Sequence, residues 1–284
     1  MSKPTLACVK LPLGRATFLR VGSTHARTTV LLHGGGLDCA RLSWRFLIPE
    51  LAENYHVIAP NWPGYEGSAA FGRPYTIADI GAWLLDLLDH LEIERAAFVG
   101  ISMGGGAALW MGVNHPARVE ALVPVGAYGL AERAPYHLLS FLLTRLPLNA
   151  ISYTAMRRSP KLLRRALQAI VAQPEAVTGE LMADVQDLLE TAGDGAPFTH
   201  FQRGEMTATR LRSVFLSQLK DVRRPTLFIH GQDDRLVPLD AAKNAAKRIP
   251  CARVEVMNAG HWPMRECPGA FNAIVLRFLA QTAS

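Results

Sequence analysis

Apolar positions along the chain follow two alternating rhythms. Over the first third, short β-branched and leucine runs alternate with longer stretches at helical spacing. Residues 28–32 read as a strand ending in a glycine cluster, and residues 43–53 carry Trp44, Leu47 and Leu51 at helical spacing. A second strand follows at 55–59. Residues 76–91 repeat Ile80, Trp83, Leu84, Leu87, Leu88 and Leu91, with Thr76 and Asp79 as an N-terminal capping pair. Residues 96–99 form the next strand. Such alternation predicts an α/β fold, a mostly parallel sheet covered by helices on both faces.

Between about 130 and 220 the rhythm changes. Leu, Ala and Arg recur at helical spacing, interrupted by Pro135, Pro147, Pro160, Pro174 and Gly193-Asp194-Gly195. This stretch reads as a helical insertion. Strand and helix then alternate again, at 225–230, 239–248, 253–257 and 268–280. The expected organisation is therefore a core at 1–129, an insertion at 130–220 and the rest of the core at 221–284.

Composition narrows the classes. With 49% hydrophobic and 19% charged residues over 284 positions, the chain can bury a large core, which excludes disorder. Residues 96–113 carry no charge and reach membrane-spanning length. Their five glycines and Ser102 fit a strand, a sharp turn and a small-residue helix instead, so no membrane partner is expected. The net charge is +6, and the densest basic stretch is Arg157, Arg158, Lys161, Arg164 and Arg165. Its neighbours are leucines rather than stacking aromatics, which marks a solvated helix face and excludes nucleic acid. Cys8, Cys39, Cys251 and Cys267 lack metal-ligand or disulfide spacing, and the first 14 residues hold no apolar core of signal-peptide length. Both observations point to the cytoplasm. A homo-oligomer stays open.

The strongest chemical signal is Gly100-Ile101-Ser102-Met103-Gly104, a G-x-S-x-G nucleophile elbow between a strand and a small-residue helix. A serine hydroxyl needs a base, and the base needs an orienting carboxylate. Five histidines follow Ser102, and His261 alone lies beyond the carboxylates after the resumed strand. It sits in a loop just past a strand, where open α/β sheets place their sites. The carboxylate belongs to His230-Gly231-Gln232-Asp233-Asp234, also just past a strand, and spacing does not separate Asp233 from Asp234. Asp240 is a distant third, expected to cap the following helix. No H-E-x-x-H, P-loop or G-x-G-x-x-G is present, so neither metal nor organic cofactor is implied.

Together, His33-Gly34-Gly35-Gly36, Asn61-Trp62-Pro63-Gly64, the elbow, the segment 231–238 and Gly260-His261 to Pro268 resemble the α/β-hydrolase fold family with a helical cap. The resemblance covers nearly the whole chain. It implies a triad of Ser102, His261 and Asp234, the last residue of a G-x-x-D pattern. It also implies an oxyanion hole from the amides of Met103 and of Gly35 or Gly36, with His33 structural. The insertion would then be the cap that shapes substrate choice. Three glycines after His33, and Trp262 as a substrate-binding residue, are similar to hydrolases that cleave carbon–carbon bonds of meta-ring-fission products. Those enzymes usually continue with Pro-Gly-Ala where this chain has Leu37-Asp38-Cys39, and relatives often carry Asp at Asn61 and Gly at Glu66.

The first expectation is hydrolysis of a carboxylic ester or related acyl bond in a small, partly apolar substrate. The alternative is carbon–carbon hydrolysis of a vinylogous diketo acid, its carboxylate paired with the 157–165 cluster or with Arg203, Arg210 and Arg212. A non-catalytic ligand receptor is a third reading.

Overall fold

The computed structural model describes residues 3–282; the outermost positions of the two core segments, 1–2 and 283–284, lie outside that range. The chain opens with a hairpin, β1 (Thr5–Leu11) and β2 (Gly14–Val21). It continues through β3 (Thr28–Leu32), the short helices α1 (Ala40–Ser43) and α2 (Leu47–Leu51), and β4 (His56–Pro60). Next come α3 (Ile77–His90), β5 (Ala96–Ile101), α4 (Met103–Asn114) and β6 (Val119–Val125). Five helices follow in succession: α5 (His137–Leu143), α6 (Leu148–Arg158), α7 (Pro160–Gln168), α8 (Gly179–Thr191) and α9 (Ala196–Glu205). The chain returns through β7 (Thr226–Gly231), α10 (Leu239–Ala246), β8 (Ala252–Met257), α11 (Pro263–Glu266) and α12 (Pro268–Gln281).

The strands form one sheet in the order β1-β2-β4-β3-β5-β6-β7-β8. β1 and β2 are antiparallel to each other, β2 is antiparallel to β4, and the remaining pairs are parallel. Side chains alternate between two cores, as the period of two requires. Leu31, Val57, Val99, Val123 and Ile229 meet Trp44, Leu47, Phe271 and Val275 on one face. Val30, Ile58, Phe98, Leu122 and Phe228 meet α3 and α4 residues such as Trp83, Leu84 and Leu109 on the other. The charge-free run 96–113 is thus a fully buried central strand followed by a helix pressed onto the sheet.

Three elements depart from the periodicity. The hairpin β1–β2 and the strand β6 carry weak signals. β6 contains Pro124, which argues against a central strand, yet its pairing with β7 runs through Leu122 and Val125 on either side of the proline. The helix expected at 43–53 is split into α1 and α2, with Pro49 in the first turn of α2, where a missing N–H costs nothing. Asp240 is not a cap: Pro238 holds that position, and Asp240 sits in the first turn of α10.

The helices α5–α9 cover one end of the sheet and share an apolar core with it through Tyr153, Leu163, Leu167 and Leu188. Polar contacts fasten this cover. Buried Arg265 pairs with Asp184 of α8 at 3.1 Å, donates to the Leu42 carbonyl and stacks over Phe46. Arg45 pairs with Asp184 at 2.9 Å and with Glu180, and Arg41 pairs with Glu66 and Asp187. The Glu266 carboxylate accepts the amides of Ala172, before α8, and of Gly260, each at 2.8 Å.

Candidate active site

Ser102 sits between β5 and α4 at φ 52° and ψ −115°, a left-handed conformation that costs an alanine or serine about 1–3 kcal/mol. Surrounding hydrogen bonds hold it there. Its amide donates to the Val125 carbonyl at 2.9 Å, and its own carbonyl accepts the amides of Gly106 and Tyr128. The turn is tight enough that a Cβ on Gly104 would lie 2.1 Å from the Leu32 carbonyl oxygen. Glycine is required there by close approach, and the hydroxyl is left standing at the carboxyl end of the sheet.

His261 and Asp234 come from the loops after β8 and β7. His261 Nδ1 lies 2.7 Å from Asp234 Oδ2, and both side chains are nearly buried. The other carboxylate oxygen, Oδ1, accepts the amides of Leu236 and Val237 at 2.8 and 2.9 Å. Burial works to raise the Asp234 pKa, but the hydrogen bond and charge of His261 with these two amides outweigh it and hold the carboxyl below its usual range. Asp233 is exposed and uses its amide on the Ala259 carbonyl, so geometry separates two aspartates that spacing leaves equal. Nδ1–H donation to Asp234 directs Nε2 away from it. His230 Nε2 donates to the Val237 carbonyl at 2.8 Å and lies 3.4 Å from Asp234 Oδ2, which walls the carboxylate from the far side.

The loop after β3 is built around two buried polar groups. Burial pushes the His33 pKa down to about 3, so the ring is neutral. Its Nδ1–H donates to the Gly34 carbonyl and its Nε2 accepts the Trp62 amide, a structural role. Asp38 accepts the amides of Gly34 and Cys39 and the Ser43 hydroxyl, while burial raises its pKa to about 6 against those donors. Gly35 lies under the Phe198 ring, where a Cβ would approach to 2.9 Å. Of the two glycines offered as oxyanion donors, Gly36 is spent elsewhere: its amide donates to the Tyr65 hydroxyl at 3.2 Å, and it borders a separate cavity. Gly35 and Met103, the first residue of α4, line the space next to Ser102.

That space is a cavity of about 300 Å³. Ser102, His261 and Trp262 line it together, without a hydrogen bond between Ser102 and His261 among the described residues. Catalytic contacts of this kind often tighten only when substrate binds. Phe198, Phe201, Met206, Leu211 and Leu236 make the walls largely apolar. Two polar side chains, Gln202 and Glu205, also reach it. Glu205 is 1% exposed and accepts from the Ile77 amide, the Ser213 amide and hydroxyl, and the Tyr128 hydroxyl. The arginines expected to meet a substrate carboxylate are absent from the lining. Arg203 donates to the Thr144 and Arg145 carbonyls, Arg157 to those of Leu189 and Gly193, and Arg164 to that of Val177. Arg210 and Arg212 are exposed. Among the described residues, neither Lys nor Arg lines the cavity, and no group of three His, Cys, Asp or Glu is arranged to hold a metal ion.

A family model described as the alpha/beta hydrolase fold matches residues 28–266, which span the elbow, Asp234 and His261. The chain belongs to the α/β-hydrolase fold family. This hydrolase is 30% identical over 263 residues to the 2-hydroxy-6-oxononadienedioate/2-hydroxy-6-oxononatrienedioate hydrolase of Cupriavidus pinatubonensis, covering 89% of this chain and 87% of that one. It is 31% identical to the 2-hydroxymuconate semialdehyde hydrolase of a Pseudomonas species, covering 89% and 86%. Among solved structures, the 2-hydroxy-6-oxo-6-phenylhexa-2,4-dienoate hydrolase of a Rhodococcus species superposes with a TM-score of 0.80 at 26% identity, over 98% of this chain and 100% of that one. The protein is accordingly an enzyme, a hydrolase of this family.

Two positions where the hydrolase departs from the usual family pattern have local explanations. Glu66, where relatives often carry glycine, adopts φ 44° and is held by Arg41 at 2.9 Å and by the Thr17 hydroxyl on its carbonyl. Asn61, where many have Asp, accepts the Ala40 amide and donates to the Thr17 hydroxyl, a dual role that a carboxylate lacks. Phe198, Phe201 and Glu205 are the site residues that the sequence did not disclose. They lie on α9, which is amphipathic like any surface helix, and only its docking turns that face toward Ser102.

Proposed function

We propose that the protein is a serine hydrolase in which Ser102 attacks a carbonyl carbon, His261 moves the proton and Asp234 fixes the imidazole tautomer. The 2.7 Å Asp234–His261 pair, facing the same cavity as the elbow serine, carries this reading. The Ser102 proton passes to His261 Nε2 as Oγ adds to the carbonyl. The amides of Gly35 and Met103 receive the oxyanion, each contributing about 3 kcal/mol to the transition state. The leaving group departs with the proton from His261, and water then cleaves the acyl-enzyme by the same relay.

Similarity to the relatives favours carbon–carbon cleavage as the bond broken. A carbon leaving group needs somewhere to place its electron pair: once C5 of a 2-hydroxy-6-oxo-dienoate is protonated, C2 becomes a ketone conjugated through C3=C4 and can take the pair of the breaking C5–C6 bond as a dienolate, while C6 is the carbonyl attacked. A specific observation favours the ester reading as second: an apolar cavity with a carboxylate and, among the described residues, no lining cation suits an uncharged acyl substrate better than an anionic one. Purified enzyme assayed on a 2-hydroxy-6-oxo-dienoate, followed by loss of its absorbance, and on p-nitrophenyl butyrate separates the two. The first reading expects kcat/KM on the dienoate to exceed that on the ester by at least about tenfold. The reverse ratio makes the protein an esterase, and no turnover of either, with no fluorophosphonate labelling of Ser102, removes the triad reading altogether.

A further inference from the structure

We propose that the outer face of the cap, built from α5 and the start of α6, is a docking surface for an anionic lipid layer. α5 contributes no buried residue to the molecule. Leu138 and Leu142 are 60% and 54% exposed, and Leu139 is 56% exposed. With Leu143 they form two i,i+4 pairs, a single stripe along one side of the helix. Tyr136 at 86%, Leu146 and Ile151 extend the apolar surface at both ends. A seven-residue helix is too short to hold itself together by propensity, and this one turns its most apolar side to water.

Charge selects the occupant. Along the stripe itself, residues 132–151 carry Arg133 and Arg145 against the single acid Glu132. The basic run Arg157, Arg158, Lys161, Arg164 and Arg165 follows at the end of α6 and on α7, where Arg157 and Arg164 also donate to carbonyls of the cap. Three of the four acids of α8 pair with arginines of the core, Glu180 with Arg45, Asp184 with Arg45 and Arg265, and Asp187 with Arg41, while Glu190 accepts from Gln186 of the same helix. Arg145 caps the stripe, its guanidinium 4.6 Å from the Phe141 ring. A second copy docked by a two-fold axis would bring these cations against their own counterparts. An anionic headgroup layer meets them with opposite charge while its acyl region receives the leucines. The absence of a membrane-spanning helix among the described residues does not bear on a helix lying in the interface plane.

The surface also adjoins the catalytic centre. A cavity of about 220 Å³ at its inner edge is lined by Leu143, Leu146 and Leu148, and it shares Gln202 and Met206 with the cavity of Ser102. Apolar molecules dissolved in a lipid layer would reach Ser102 past these two side chains.

Co-sedimentation with vesicles tests the proposal without depending on turnover. The full-length protein is expected to pellet with vesicles of phosphatidylcholine and phosphatidylglycerol and to remain in solution with phosphatidylcholine alone. The pelleted fraction should fall at least about tenfold in the L139E/L142E double variant, and also in about 0.5 M salt. Both leucines are exposed, so an unchanged melting temperature shows that the variant is folded; a single exposed substitution, Arg145→Gln, gives a second, milder reading of the same loss. Equal pelleting of wild type and L139E/L142E, or no pelleting with either vesicle, overturns the proposal. So does a dimer in light scattering that L139E/L142E dissociates, since a second copy would then own the surface.

Discussion

At the scale of single residues, the triad makes three separable predictions. Ser102→Ala removes one oxygen from a residue whose backbone is held by three hydrogen bonds, so the fold persists while turnover drops by at least about a thousandfold; steady-state rates together with a melting curve check both halves. Asp234→Asn is expected to cost about 10³–10⁴ in kcat by misdirecting the imidazole, whereas Asp233→Asn, at an exposed carboxyl, should leave kcat within about twofold. The Asp234 carboxyl also couples stability to pH. Its folded pKa lies below the ordinary value of 3.8, so its contribution is present above that value and is lost as pH falls through the lower folded one. Urea unfolding between about pH 5 and pH 3 should therefore show a shallower loss in Asp234→Asn than in wild type. The proposed nucleophile and base, Ser102 and His261, were chosen from their local contexts alone, a strand-to-helix glycine turn and a loop past a strand. The preference for Asp234 over Asp233 came only through the family pattern, and Asp234 is the one paired with His261. The choice between Gly35 and Gly36 stayed open in the sequence; the Gly36 amide donates to Tyr65, 29 positions away, and spacing carries no trace of that contact.

At the scale of elements, periodicity located the helices and strands whose burial is one-sided or complete, such as α3 with its capping box and β5. It failed where tertiary partners do the stabilising. β6 keeps a proline because its neighbours pair around it, α1 is a short turn fastened by Asn61 and Asp38, and α2 is tied by Asn272 through the Phe46 carbonyl and Glu50. α11 is the element most tied to function. Its Glu266 holds the Ala172 amide of the cap and the Gly260 amide beside His261. Glu266→Gln sets an amide N–H₂ against one of these donors and should cost about 1–3 kcal/mol. Because Gly260 precedes His261, kcat should fall along with the melting temperature; a variant that melts early but turns over normally would show that the clamp serves stability alone.

At the scale of the whole molecule, the cap is joined to the core by both apolar packing and ion pairs, and the two are separable by mutation. Arg265 is 3% exposed at its side chain and has Asp184 as its acidic partner. Asp184→Asn leaves that buried guanidinium its hydrogen bond to Leu42 and its stack on Phe46 but no counter-charge, so a loss of about 3 kcal/mol is expected. As Asp184 also holds Arg45, the cap should loosen and KM should rise more than kcat falls. The sequence by itself determined the class of fold and the place of the helical run between two sets of strands, and it supplied the reacting groups proposed above. These depend on hydrophobic period and on turns that demand glycine, which are local properties of the chain. The tertiary structure decided which carboxylate meets His261, that the Gly36 amide is taken by Tyr65 and that, among the described residues, no arginine lines the cavity. Those outcomes depend on contacts between segments far apart in the chain, and a one-dimensional pattern constrains the faces that meet without fixing the partner each side chain finds.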